Sequence, residues 1–205
     1  LDLSANYTLA NDIDVSETAS WNGGLGFEPV GGYDAEWNLH SFIGTFDGQG
    51  YTISDLIINK PLDSYVGLFG YTSGATIQNV GLVNLSVTGN WYVGGLVGLH
   101  YNSSIDNSYA TGIVTGAGSY AGGLVGSQYS SSITDSYATA NVNGGDYVGG
   151  LVGQSDTSST TRSYATGEVT GTDNVGGLAG ANIVTSSIVD SYATGDVTGN
   201  SSIGG

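Results

Sequence analysis

Asp12 and Asp14 stand two residues apart in NDIDV, a spacing that sets both side chains on one face of an extended strand. Carboxylates held roughly 5 to 10 Å apart can cleave a glycosidic bond, one as acid and the other as base or nucleophile. The same residues can also cap turns in water, and that reading is favoured because nothing else in the chain completes a reaction. There is no Cys, which removes thiolate nucleophiles, zinc–sulfur sites and disulfides. The histidines are His40 and His100, and neither sits in a His-Glu-x-x-His motif. Elimination on uronates needs basic groups, and the chain has only Lys60 and Arg162. Serine and threonine abound, but no partner base stands out for a triad. GGLGFEPVG, residues 23–31, nearly spells the calcium nonapeptide, with Glu28 at the aspartate position. That motif works in tandem, each ion between consecutive turns. Here it occurs once, so a glycine-rich loop is expected. No cofactor is expected, beyond adventitious calcium at acidic loops.

Aromatic side chains are the better candidates for ligand contact. Tyr109, Tyr137, Tyr164 and Tyr192 recur at one position of a repeat, and Tyr65, Tyr92, Tyr120 and Tyr147 at another. An exposed stripe of this kind can stack on pyranose faces, although like rings also stack on each other between strands. Trp21 and Trp37 flank a glycine-rich stretch and are candidate contacts for sugar or protein, against the alternative of a packed end cap. Threonine columns such as Thr111, Thr139, Thr166 and Thr194 suggest an ice-binding array, but glycine interrupts them.

These residues are embedded in 205 residues carrying 36 Gly, 14 Tyr, 2 basic and 18 acidic side chains, a net charge of −16. Such a chain repels phosphate backbones and anionic lipid, so nucleic acid is excluded as a partner. No apolar run approaches the 18 or so residues of a membrane span, so no insertion is expected. With 39% hydrophobic residues recurring at regular intervals, a packed core is expected rather than disorder. The chain opens on Leu1 without a signal peptide, as a processed or excised piece would.

The regular interval is visible in YVGGLVG (92–98), YAGGLVG (120–126), YVGGLVG (147–153) and NVGGLAG (174–180). Between these lie SSIDNSYATGIVTG (103–116), SSITDSYATANVNG (131–144), SSTTRSYATGEVTG (158–171) and SSIVDSYATGDVTG (186–199). No stretch has the 3.6-residue period of a helix, and the composition is that of strands cut by turns. Each unit offers three short strands, YVGGLVG, SIDNSYA and GIVTG. Three strands and three corners make one coil of a parallel solenoid, with about 27–28 residues per coil. Coils stack at about 4.8 Å, the usual strand spacing.

Stacking turns equivalent positions into columns. Leu96, Leu124, Leu151 and Leu178 form one; Ile77, Ile105, Ile133, Thr160 and Ile188 a second; Val87, Val114, Val142, Val169 and Val197 a third. All three are assigned to the core. The Gly-Gly pairs are expected at a bend, where missing side chains let the backbone turn or another strand approach. That bend would let Val93 and Leu96 both point inward. A further column reads Asn79, Asn107, Asp135, Arg162, Asp190, so Arg162 is expected to contact one or both neighbouring acids. Residues 1–64 are less regular and are expected to form irregular N-terminal coils or a cap, with a protruding loop over 17–40. Residues 65–205 carry the repeats and continue from them without a linker. The chain stops at Gly205, inside another copy, so further coils are expected beyond it. The last coil, with an unpaired edge, is expected to be mobile or to associate end to end or edge to edge.

LANDIDVS, FEPVG, FIGTFDGQGYTISDLII, VGLFG and the repeated VGGLVG and SYATGxVTG resemble the GLUG-motif repeat region of bacterial surface proteins. Their order is most similar to filamentous-haemagglutinin-like adhesins exported by two-partner secretion. The resemblance covers nearly the whole chain. It implies an all-β, right-handed parallel β-helix, secretion to the cell surface, and a structural or adhesive segment without catalytic residues. The partner would be a host or neighbouring-cell surface glycan or protein. GLUG repeats also occur beside immunoglobulin-A-cleaving metallopeptidase domains, whose zinc motif this chain lacks. The alternative is a carbohydrate-active β-helix enzyme or a carbohydrate-binding module.

Overall fold

The structure, a computed structural model, describes residues 1–34 and 38–205. Parallel sheets stack into a β-solenoid of about 6 turns with almost no helix. One representative turn runs Val93–Gly94, Val97–Tyr101, Ser104–Asp106 and Tyr109–Gly116. The first two segments form a bent wall, the third a short wall and the fourth a long wall. Each pairs in register with its equivalents: Ile105 with Ile77 and Ile133, Val114 with Val87 and Val142. These are the columns that the sequence defines. The boundary between the second and third walls differs from the expected one. A corner falls at Asn107, so Tyr109 and Ala110 open the long wall.

The corners are left-handed residues. Tyr92, Asn102 and Asn107 have φ of 56°, 47° and 45°, and their equivalents along the stack, Arg162 included, do the same. Asn adopts this conformation readily, whereas Tyr and Arg do so only where the surroundings hold them. Serine supplies part of that hold. The Ser108 N–H donates to the Ser136 hydroxyl (3.1 Å), which donates onward to the Thr134 carbonyl (2.7 Å). Ser103, Ser131 and Ser158 repeat the arrangement at the Asn102 corner. The hydroxyl thus satisfies a buried backbone donor that the turn removes from the ladder.

The glycine pairs lie at the bend between the two segments of the bent wall. Neither Gly94 nor Gly95 is left-handed; the requirement is close approach. A Cβ on Gly95 would lie 2.5 Å from the Gly123 carbonyl oxygen of the next turn. The bend lets Val93 and Leu96 both bury completely. Leu124, Leu151, Ile105, Ile133 and Val114 are likewise buried. Burial falls away in the last turn, where Ile188 is 37% and Tyr192 55% exposed. A polar column, Thr72, His100, Gln128 and Ser155, also runs inside the bent wall. Thr160, the odd member of the isoleucine column, accepts a hydrogen bond from Gln128 Nε2 at 3.0 Å.

The first turn begins with Tyr7–Thr8 and Ile13–Asp14, which pair with Thr45–Asp47 and Thr52–Ser54. Between them the chain leaves the coil path. It forms an irregular 3-10 stretch at Ser16–Gly24 and an antiparallel hairpin of Gly32–Tyr33 with Leu39–His40. Bridges from Val30 to Phe69 and from Phe42 to Thr72 tie both flanks to the bent wall. Phe69 packs on Phe42 and Phe46 with ring centroids 5.0 and 5.4 Å apart, closing this end of the core.

Candidate functional site

The hairpin leaves a cleft of about 750 Å3 between itself and the corner at Tyr65. The glycine loop sets one side. Gly26, at φ 84°, bridges Ile58 so closely that a side chain there would meet the Ile57 carbonyl. Glu28 is thereby brought to Lys60, whose Nζ lies 2.8 Å from Glu28 Oε2 and 3.5 Å from Asp63 Oδ2. Lys60 is only 8% exposed, while the two carboxylates are 66% and 57% exposed. On the hairpin side, His40 Nε2 and Asp34 Oδ2 are 2.8 Å apart. Tyr65, left-handed at φ 62°, forms the back of the cleft. Its ring stacks on Tyr92 at 5.0 Å and tilts against Tyr33 at 5.4 Å. Burial, then the neighbouring Tyr33 and Tyr92, push its hydroxyl up to about 12, so Tyr65 stays a neutral donor.

Of the residues singled out from the sequence, Glu28 and Tyr65 line this cleft, while Trp21, the Tyr109 ladder, Asp12 and Asp14 are not in its lining. Trp21 is exposed on the 3-10 stretch, tilted against Phe27 at 6.4 Å. Trp37 lies outside the described residues. Tyr109, Tyr137, Tyr164 and Tyr192 form one continuous stack, with spacings of 4.8, 4.8 and 5.2 Å and interplanar angles of 2–6°. Their faces are turned on one another, so the ladder offers solvent its edges and hydroxyls, with the outer face of Tyr192 open at the end. The second ladder, Tyr65 to Tyr147, is stacked in the same way and meets the cleft at Tyr65. Asp12 accepts from the Thr52 N–H (2.8 Å) of the next coil, whereas Asp14 accepts from the Ser16 N–H (2.8 Å) and caps a turn. The Ser16 bonds hold Asp14 below the usual carboxylate range. Glu28 of the nonapeptide-like loop is engaged by Lys60. Arg162 makes a bidentate contact to Asp135 at 2.7 and 2.6 Å, while Asp190 acts on it only through its charge. The guanidinium lowers the Asp135 carboxyl.

Sequence reasoning missed the Lys60–Glu28 ion pair and the His40–Asp34 contact of the cleft, and a third stack, Tyr101 on Tyr129 at 5.4 Å. The available signal for the pairs was scarcity. One of two basic residues and one of two histidines fall in the non-repeating segment.

The coil boundaries also carry a family signature. The GLUG motif matches residues 89–115, 117–143, 144–170 and 171–198. The chain belongs to the GLUG-motif family. Each GLUG match spans about one turn, running from a long wall through the bent and short walls to the next long wall. Halomucin of Haloquadratum walsbyi is 42% identical over 96 residues, 45% of this chain and 1% of its own length. A candidate Gly-rich membrane protein of Evansella cellulosilytica is 40% identical over 111 residues, 50% of this chain and 12% of its own length. This GLUG chain therefore spans a small part of either relative. Among solved structures, a candidate immunoglobulin A1 protease from Bacteroides ovatus superposes with a TM-score of 0.62 at 19% identity. That match covers 98% of this chain and 77% of the other, and it speaks for the fold alone.

Proposed function

We propose that this GLUG chain is a rigid, acidic segment of a secreted or cell-surface protein, that it holds a contact surface for adhesion, and that it is not an enzyme. The observation that carries the reading is the unbroken seven-stranded sheet linking the first turn to the last, which makes a stiff spacer. In this reading residues 1–64 cap the stack, 65–205 extend it as one unit, and neighbouring segments associate end to end. Relatives named halomucin and Gly-rich membrane protein support a surface location. The order of motifs from LANDIDVS through the VGGLVG and SYATGxVTG repeats supports an adhesin of the filamentous-haemagglutinin type. The non-catalytic reading is supported at Asp14, whose carboxyl the Ser16 bonds lower, whereas a general acid is raised.

The test is to couple the segment to beads, measure attachment to glycan- and protein-coated surfaces, and incubate it with polygalacturonate, alginate and glycosaminoglycans. Attachment without product release is the expected result. Turnover that disappears on changing Asp12 or Asp14 would overturn the reading in favour of an enzyme.

A further inference from the structure

We propose that the cleft beside the Gly32–His40 hairpin binds a neutral saccharide through vicinal hydroxyls, an inference that rests on the adhesive reading above. Its volume, about 750 Å3, is that of small-ligand sites. The charges in it count against the other classes. A cationic ligand, though the acidic field draws it in, must sit beside the Lys60 ammonium, which is clamped between Glu28 and Asp63. An anionic ligand meets three carboxylates, Glu28, Asp34 and Asp63, inside a field of net charge −16.

A polyol suits the same lining. Each hydroxyl both donates and accepts, so adjacent hydroxyls need acceptors and donors side by side. Glu28 and Asp63 are more than half exposed and keep free lone pairs, and the ammonium between them has a third N–H to give. Charge-assisted bonds of this kind are among the stronger ones available to a sugar. The apolar face of a pyranose finds Leu62 at the lip, 86% exposed, beside the edge of Tyr65. The long-wall tyrosines are a poorer platform, since their ring faces already cover one another.

The experiment is titration of the whole segment with methyl glycosides of glucose, galactose and mannose, against glucuronate and glucosamine as charged counterparts. Binding is followed by ligand saturation-transfer NMR and by shifts of protein resonances. At least one neutral glycoside should bind saturably, with shifts at Leu62 and Tyr65. The charged analogues should bind several-fold more weakly. Leu62→Ala, and Glu28→Gln with Asp63→Asn, should each raise the Kd about tenfold, the loss of one good contact. Tyr192→Ala should leave it unchanged. Shifts confined to the tyrosine ladder, equal binding of a charged analogue, or no saturable binding by any neutral glycoside would overturn the proposal. In that event, beads that still attach to coated surfaces would show that the adhesive reading survives without the cleft, and beads that do not attach would remove both.

Discussion

The repeating turns and the first 64 residues use the same strands and sheets, yet they treat chemically interesting side chains in opposite ways. In the repeats many side chains meet their own kind, Tyr on Tyr and Asn107 donating to Asn79 at 2.8 Å, with Arg162 on Asp135 the charged exception. Repetition satisfies such groups, because a hydroxyl or amide can both donate and accept. It works against charge, since like charges directly opposite repel. In the first 64 residues the repeat lapses, and unlike groups meet: Lys60 with Glu28, His40 with Asp34. The cleft with mixed charge lies where the repeat breaks.

The sharpest way to test that contrast is to cut the core on each side. Phe42→Ala should cost about 3–5 kcal/mol and Leu151→Ala about 2–5 kcal/mol in denaturant unfolding, while Leu178→Ala, in the less covered last turn, should cost less. If Leu151→Ala melts like the parent protein, the column is misassigned. A second effect belongs to the repeats alone. His100 is fully buried, with Nδ1 bonded to Thr72 Oγ1 at 2.8 Å, and burial lowers it from 6.5 to about 3. Below pH 6.5 the unfolded chain takes up a proton that the folded chain refuses. Stability should therefore be intact above about pH 6.5 and fall by up to about 1.4 kcal/mol per pH unit towards pH 3. His100→Gln, which extends the Gln128 position by one rung, should flatten that slope in urea titrations at stepped pH. An unchanged slope would show that the acid response lies elsewhere.

A smaller loss is expected at the corners. Ser136→Ala leaves the buried Ser108 N–H without its acceptor and should cost about 1–3 kcal/mol, with faster amide exchange at Ser108. The smallest effect is at Arg162, whose contact to Asp135 is exposed. Arg162→Ala should barely move the melting temperature, and what change there is should vanish in high salt. A large, salt-insensitive loss would mean that the left-handed corner, rather than the ion pair, depends on the arginine.

The hydrophobic columns were legible because register follows directly from the period: Leu96 over Leu124, Ile105 over Ile133, Val114 over Val142. The corner positions were not. Glycine is the residue expected at positive φ, yet Tyr92, Asp135 and Arg162 occupy it, and only the serine after some of them hints at the turn. Nor was the buried Thr72–His100–Gln128 column visible, because the bend at Gly95–Leu96 shifts the alternation of the bent wall. The cleft was hidden for a different reason. Glu28 and Lys60 come together through the Gly26–Ile58 bridge, a long-range contact that occurs once and leaves no period to read.

The serine corners bear on how the segment behaves under load. Every hydroxyl that takes an N–H from the preceding turn points its bond along the stacking axis, as do the strand bonds between walls. A pull along that axis therefore loads a whole interface between turns at once, and the stack resists as a stiff rod. Once the weakest interface parts, one turn of 27 residues is released and pays out roughly 90 Å of chain. A rod built this way holds its length at low force and gives in steps at high force, as a shock absorber does and a brittle link does not.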